Sequence, residues 1–96
     1  MAQTPEGKVK TVVRNQLRQI GAYYFMPATG GDGKSGVPDI VGCYKGKFFG
    51  IECKAGKGKV TALQQKNLDE IDASKGIALV VNESNMHDVS DLLMEN

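Results

Sequence analysis

The chain has 96 residues, is 41% hydrophobic and 24% charged, and carries a formal net charge of +1. That length and composition predict one domain, 1–96, with a single core, and exclude an intrinsically disordered chain. No apolar run approaches a membrane span and no signal-peptide pattern opens the chain, so the expected location is the cytoplasm, a host's if the protein is viral.

The near-neutral total hides an asymmetry. Residues 1–66 carry 11 Lys or Arg against 4 acids, a balance of +7, whereas 67–96 carry one Lys against seven acids, a balance of −6. One basic surface able to meet phosphates is expected, opposed by an acidic one that is not. A solvated surface of mixed charge is the plainer account. Cys43 and Cys53, with a single His, are too few for a usual zinc site. Their places in the strands below point them to opposite faces, so they read as two small core residues and not as a disulfide.

Taken in order, the chain opens with a helix start: Thr4 as N-cap, Pro5 in the first helical position, Glu6 in the first turn. Val9, Val12, Val13, Leu17 and Ile20 recur at helical spacing, and Gly21 ends the helix. Glu6 favours the helix N-terminus electrostatically; it could equally reach a metal as a further ligand. Residues 22–26 read as a short aromatic strand. Residues 27–36 form a glycine-rich loop carrying Lys34 and Ser35. Within it, 28–35 imitates a phosphate-binding loop, but Val37 and Pro38 follow where that mechanism needs a helix.

Two apolar runs, 40–44 and 48–53, flank Lys45-Gly46 and predict a β-hairpin. With Lys45-Gly46 as the loop, Tyr44 faces Lys47 and Asp39 faces Glu52. Lys54 then projects from the same face as Glu52. Directly opposed like charges destabilise a sheet, and a divalent cation such as Mg²⁺ or Mn²⁺ would offset the repulsion. Alternatively, Asp39 caps the strand start and Glu52–Lys54 is a surface ion pair. Both strand faces are partly apolar, so the hairpin is expected to be central and covered on both sides.

Glycines and lysines at 56–59 make the next turn. Thr61 and Gln64 form a capping box that opens a second helix, with Leu68 and Ile71 buried. Gln64 could also orient a water or a phosphate. After Ser74-Lys75-Gly76, residues 77–81 read as a buried strand parallel to its neighbour. A last helix spans Asn85 to Met94, with Met86, Val89, Leu92 and Leu93 inward. His87 on that helix reads as a solvated residue.

Ser35-Gly36-Val37-Pro38-Asp39, then Phe48-Phe49-Gly50-Ile51-Glu52-Cys53-Lys54, then Thr61 and Gln64 behind a helix with Glu6, resembles the PD-(D/E)xK nuclease superfamily. More closely, the pattern resembles the small stand-alone VRR-NUC domains, themselves similar to Holliday-junction resolvases. The resemblance covers about Glu6 to Val81. It implies an α/β, restriction-endonuclease-like core with a central mixed sheet, and a Mg²⁺- or Mn²⁺-dependent phosphodiesterase acting as a homodimer on branched DNA. By that motif Asp39 and Glu52 are metal ligands, the Cys53 backbone carbonyl is another, and Lys54 is the catalytic lysine. Glu6 and Gln64 correspond to supporting positions. Lys8, Lys10, Arg14, Lys34, Ser35, Lys57 and Lys59 are the expected DNA contacts. The terminal helix and the edge near Tyr23 and Tyr24 are candidate dimer surfaces. A non-catalytic DNA-binding module and a nucleotide-binding protein using 28–35 are the rival readings.

Overall fold

The computed structural model describes residues 3–28 and 33–96. Helix α1 runs Pro5–Gln19, and strand β1 Tyr23–Phe25 follows it. The hairpin is β2 Ile40–Tyr44 with β3 Lys47–Cys53; then come α2 Ala62–Ala73, β4 Ile77–Val81, a 3₁₀ turn Met86–Asp88 and α3 Val89–Met94. The strands make one mixed sheet in the order β1-β2-β3-β4, with β3 parallel to β4 and the other pairs antiparallel. The fold is therefore a small α/β domain with helices on both sheet faces. Residues 29–32 of the glycine-rich stretch, Asp32 among them, lie outside the described residues. Ser35 and Gly36 form a turn, and the next helix after it begins at Ala62, so 33–38 lacks the helix that a phosphate-binding loop requires.

Local chemistry explains the boundaries. The Thr4 hydroxyl accepts the Gly7 N–H at 3.0 Å and caps α1. Thr61 and Gln64 complete the capping box of α2. Lys45 (φ 49°) and Gly46 (φ 84°) both take left-handed backbone, the geometry of a type I′ turn whose twist suits two-residue hairpins. Tyr44 pairs with Lys47 and Ile40 with Ile51, which is the register expected from the turn.

The core forms where α1 and α3 lie against one sheet face. Val9, Val13 and Leu17 of α1 cluster with Ile40, Phe49, Ile51, Cys53 and Val81 of the sheet and with Val89 and Leu93 of α3. Removing that much apolar surface from water is the main source of stability. Helix α2 covers the other face along β3 and β4. A Cβ on Gly50 would stand 2.6 Å from Ile71 Cδ1 and 2.9 Å from Pro38 Cγ, so any larger residue there would force Ile71 or Pro38 to shift. Three expectations need correction. Cys43 is exposed, because α2 does not extend over the turn end of the hairpin. Strand β4 is an edge strand and leaves Val80 exposed. The expected final helix is broken into a 3₁₀ turn and a six-residue helix, after Asn85 bonds back to Asn82 and Val80.

Candidate active site

The site lies where the hairpin ladder stops. In a hairpin with a two-residue loop the flanking residues exchange both backbone hydrogen bonds, and every second pair repeats the exchange. Tyr44–Lys47, Gly42–Phe49 and Ile40–Ile51 are such pairs, and the next would be Pro38–Cys53. Proline has no N–H, so it cannot donate to the Cys53 carbonyl. The Cys53 N–H instead donates to Asp39 Oδ2 at 2.8 Å. The N–H and C=O of a strand residue share one edge, so the Cys53 carbonyl points to the side where the Asp39 carboxylate sits. Among the described residues no N–H is bonded to that carbonyl.

Continuing the register one step past the Ile40–Ile51 pair brings Asp39 opposite Glu52, and the two carboxyls are electrostatic neighbours. Glu52 is only 2% exposed. Its Oε2 lies 3.5 Å from Lys54 Nζ, while its Oε1 is buried with no hydrogen-bond partner among the described residues. Burial pushes the Glu52 carboxyl up and the Asp39 charge adds to this; Lys54 opposes both, and the result is about 7 against an ordinary 4.5. Burial first, then the neighbouring Asp39 carboxylate, pushes the Cys53 thiol up to about 12, so it stays protonated and is neither a thiolate ligand nor a nucleophile at neutral pH.

On the α1 side, Lys10 Nζ lies 3.7 Å from Asp39 Oδ1 and 3.4 Å from Glu6 Oε2. Burial lowers the Lys10 pKa, but Asp39 and Glu6 outweigh it, and the net shift is upward. Lys10 thus links Glu6 to Asp39. Among the described residues no group of three or more His, Cys, Asp or Glu side chains gathers as a metal cluster. A cation here would have to use two carboxylates and a backbone carbonyl. Those are hard oxygen donors of the kind Mg²⁺ and Mn²⁺ take, and the unpartnered Glu52 Oε1 is the open position that such an ion fits.

The other expected site residues are distributed unevenly. Gln64 Oε1 accepts the Thr61 N–H at 2.9 Å, and among the described residues no hydrogen bond ties Gln64 to Asp39, Glu52 or Lys54. Lys34 pairs with Glu70 at 2.9 Å. Ser35 presents its carbonyl to Asn67 Nδ2 at 3.1 Å. Lys57 and Lys59 are exposed on the turn after Lys54, and Glu83 fastens that turn through the Gly56 N–H. Lys8 is exposed on α1. Arg14 and Arg18 lie beside Tyr24; burial raises the Tyr24 hydroxyl pKa, but the two guanidinium groups bring it below the ordinary value.

Sequence reasoning missed two roles. Lys10 is among the expected DNA contacts, yet it pairs with Glu6 and Asp39, and its four-residue spacing from Glu6 is the helical ion-pair signal. Asn67, buried and bonded to both Ser35 and Leu63, anchors the loop before Asp39. A polar residue amid a helix gives no such signal. No protein-family model matches the chain, and no curated protein aligns with it significantly.

Proposed function

We propose that this protein is a metal-dependent endonuclease with a restriction-endonuclease-like core, similar to stand-alone VRR-NUC domains of the PD-(D/E)xK superfamily. Its substrate is branched DNA, with four-way junctions foremost. The observation that carries this reading is the buried Glu52 carboxylate beside Asp39, whose Oε1 has no hydrogen-bond partner among the described residues, next to a Cys53 carbonyl that no described N–H reaches. Burying an anion against a second anion is costly, and a cation between them would offset that cost. When bound there, Mg²⁺ or Mn²⁺ supplies a more acidic water and a polarised phosphoryl oxygen.

The chain's own groups account for the rest. Asp39 and Glu52 hold the ion, and the Cys53 N–H fixes the orientation of Asp39. Lys54, its side chain 15% exposed beside Glu52, places a positive charge where an attacking water or a phosphate oxygen would stand. Lys8, Lys57 and Lys59 supply exposed charge for the DNA backbone. Lys34, committed to Glu70, is available for DNA only if that pair opens. A twofold dimer would supply two such sites for symmetric cuts, and the exposed Tyr23 and Phe25 on edge strand β1 favour that strand as its surface.

The test is a cleavage panel of four-way junction, flap and nicked duplex with Mg²⁺ and with Mn²⁺. The wild type is expected to cut the junction. Asp39→Asn is expected to lose more than about a hundredfold in rate while still binding DNA. Junction binding with no wild-type cleavage in either metal would instead identify a non-catalytic DNA-binding module.

A further inference from the structure

We propose that Lys10 stands in place of a second metal ion, so that the site takes one divalent cation and not two. The inference rests on the reading above only in taking Asp39 and Glu52 as the ligands of that cation. Three acids lie near the end of the sheet, tied to two lysines and not gathered into one cluster. Glu52 is matched by Lys54, while Glu6 and Asp39 share Lys10. Among the described residues neither Glu6 nor Asp39 has another cationic partner within ion-pair distance.

A cation between Asp39 and Glu52 meets the open Glu52 Oε1. A second cation needs a further pair of carboxylates, and the remaining pair is Asp39 with Glu6. The space between those two holds the Lys10 ammonium, 3.4 Å from one and 3.7 Å from the other. The ammonium cannot easily drift away. Glu6 and Lys10 lie one turn apart on the same helix, so the helix itself holds them together. The start of α1 is fixed by the Thr4 cap and by Pro5. The Lys10 side chain is one-third exposed, which reduces the screening a fully solvated lysine would have. A divalent ion placed against it would meet a like charge at short range. Lys10 is therefore a positioning residue: it supplies fixed positive charge beside Asp39 and closes that side to metal.

The measurement is Mn²⁺ binding to the intact protein without DNA, counted by calorimetry and by the loss of the free-ion paramagnetic resonance signal. One Mn²⁺ per chain is expected for the wild type and none for Asp39→Asn. Lys10→Met is expected to bind two, and the double variant Lys10→Met/Glu6→Gln to return to one. A Lys10 that served only as a structural ion pair would alter stability and leave these counts unchanged. Two ions in the wild type, or one in Lys10→Met, overturns the inference. No uptake by the wild type would instead overturn the metal centre itself, and the role of Lys10 with it. If Lys10→Met does not fold by circular dichroism, Lys10→Gln keeps a polar side chain without the charge and carries the same counts.

Discussion

The two ends of the β2–β3 hairpin are built from the same strands and behave oppositely. At the turn end, Lys45 and Gly46 adopt the left-handed backbone a tight turn needs, and Tyr44 and Lys47 close the ladder. Side chains there, Cys43 and Phe48 among them, are exposed. At the open end Pro38 stops the ladder, Glu52 is buried, and a carboxylate takes the place of a backbone acceptor. One end therefore satisfies its polar groups internally. The other leaves a carbonyl and a carboxylate oxygen without donors among the described residues, which is costly for folding and is the feature on which the proposed cation site rests.

Substitutions at the two ends should separate these behaviours. The largest effect is expected at the open end. On the proposed nuclease reading, Lys54→Met should reduce single-turnover cleavage by more than about a hundredfold, since it removes the charge assigned there to the reacting phosphate. The fold should survive, because Glu52, with a pKa near 7, can take up a proton when its lysine partner is lost. Loss of cooperative thermal unfolding in this variant would show instead that Lys54 is needed for folding.

Next comes the middle of the hairpin. A Cβ on Gly42 would stand 2.0 Å from the Tyr23 carbonyl oxygen and 2.8 Å from Tyr24 Cα, both backbone atoms. Gly42→Ala should therefore displace β1 and destabilise the protein by about 3 kcal/mol, at the upper end of ordinary overpacking. Urea unfolding measures it, and a change under about 1 kcal/mol would mean that β1 moves freely.

The open end should also control how stability depends on pH. Folding raises the Glu52 pKa from 4.5 to about 7, so between those values the folded protein keeps a proton that the unfolded chain has released. Stability of the metal-free protein should consequently fall as pH rises from about 4.5 to about 7, by on the order of 3 kcal/mol for the full shift. Glu52→Gln should flatten that fall and raise the melting temperature at pH 8. An unchanged slope in the variant would assign the dependence to other groups.

The smallest effect belongs to the turn. Lys45 holds φ 49°, a conformation that Asn adopts more readily. Lys45→Asn should stabilise by about 0.5 kcal/mol and leave cleavage and Mn²⁺ binding unaltered. A measurable effect on either function would mean that the two ends are coupled through the strands.

Much of this architecture could be read from local chemistry. The caps of α1 and α2, the Lys45-Gly46 turn and the period-two pattern of the hairpin each depend on residues a few positions apart. The hairpin register in turn placed Asp39 opposite Glu52, and Pro38 marked where the ladder had to stop. The environment of those groups was not legible. The sequence pattern of Cys43 suited a core residue, but whether a helix covers that end of the sheet depends on the length and placement of α2. Gln64 carried two readings; its Oε1 is engaged by the Thr61 backbone, and among the described residues no other bond draws it to the carboxylates.

The sequence by itself determined that Asp39, Glu52 and Lys54 share one end of a hairpin, because strand periodicity and a two-residue turn are local rules. Only the tertiary structure decided which charges meet there. Packing α1 against Phe49, Ile51 and Cys53 carried Lys10 and Glu6 to Asp39, and burying Glu52 left one of its oxygens without a partner among the described residues. Electrostatics depends on distance through space and on exclusion of water, and neither quantity exists until the helix has docked on the sheet.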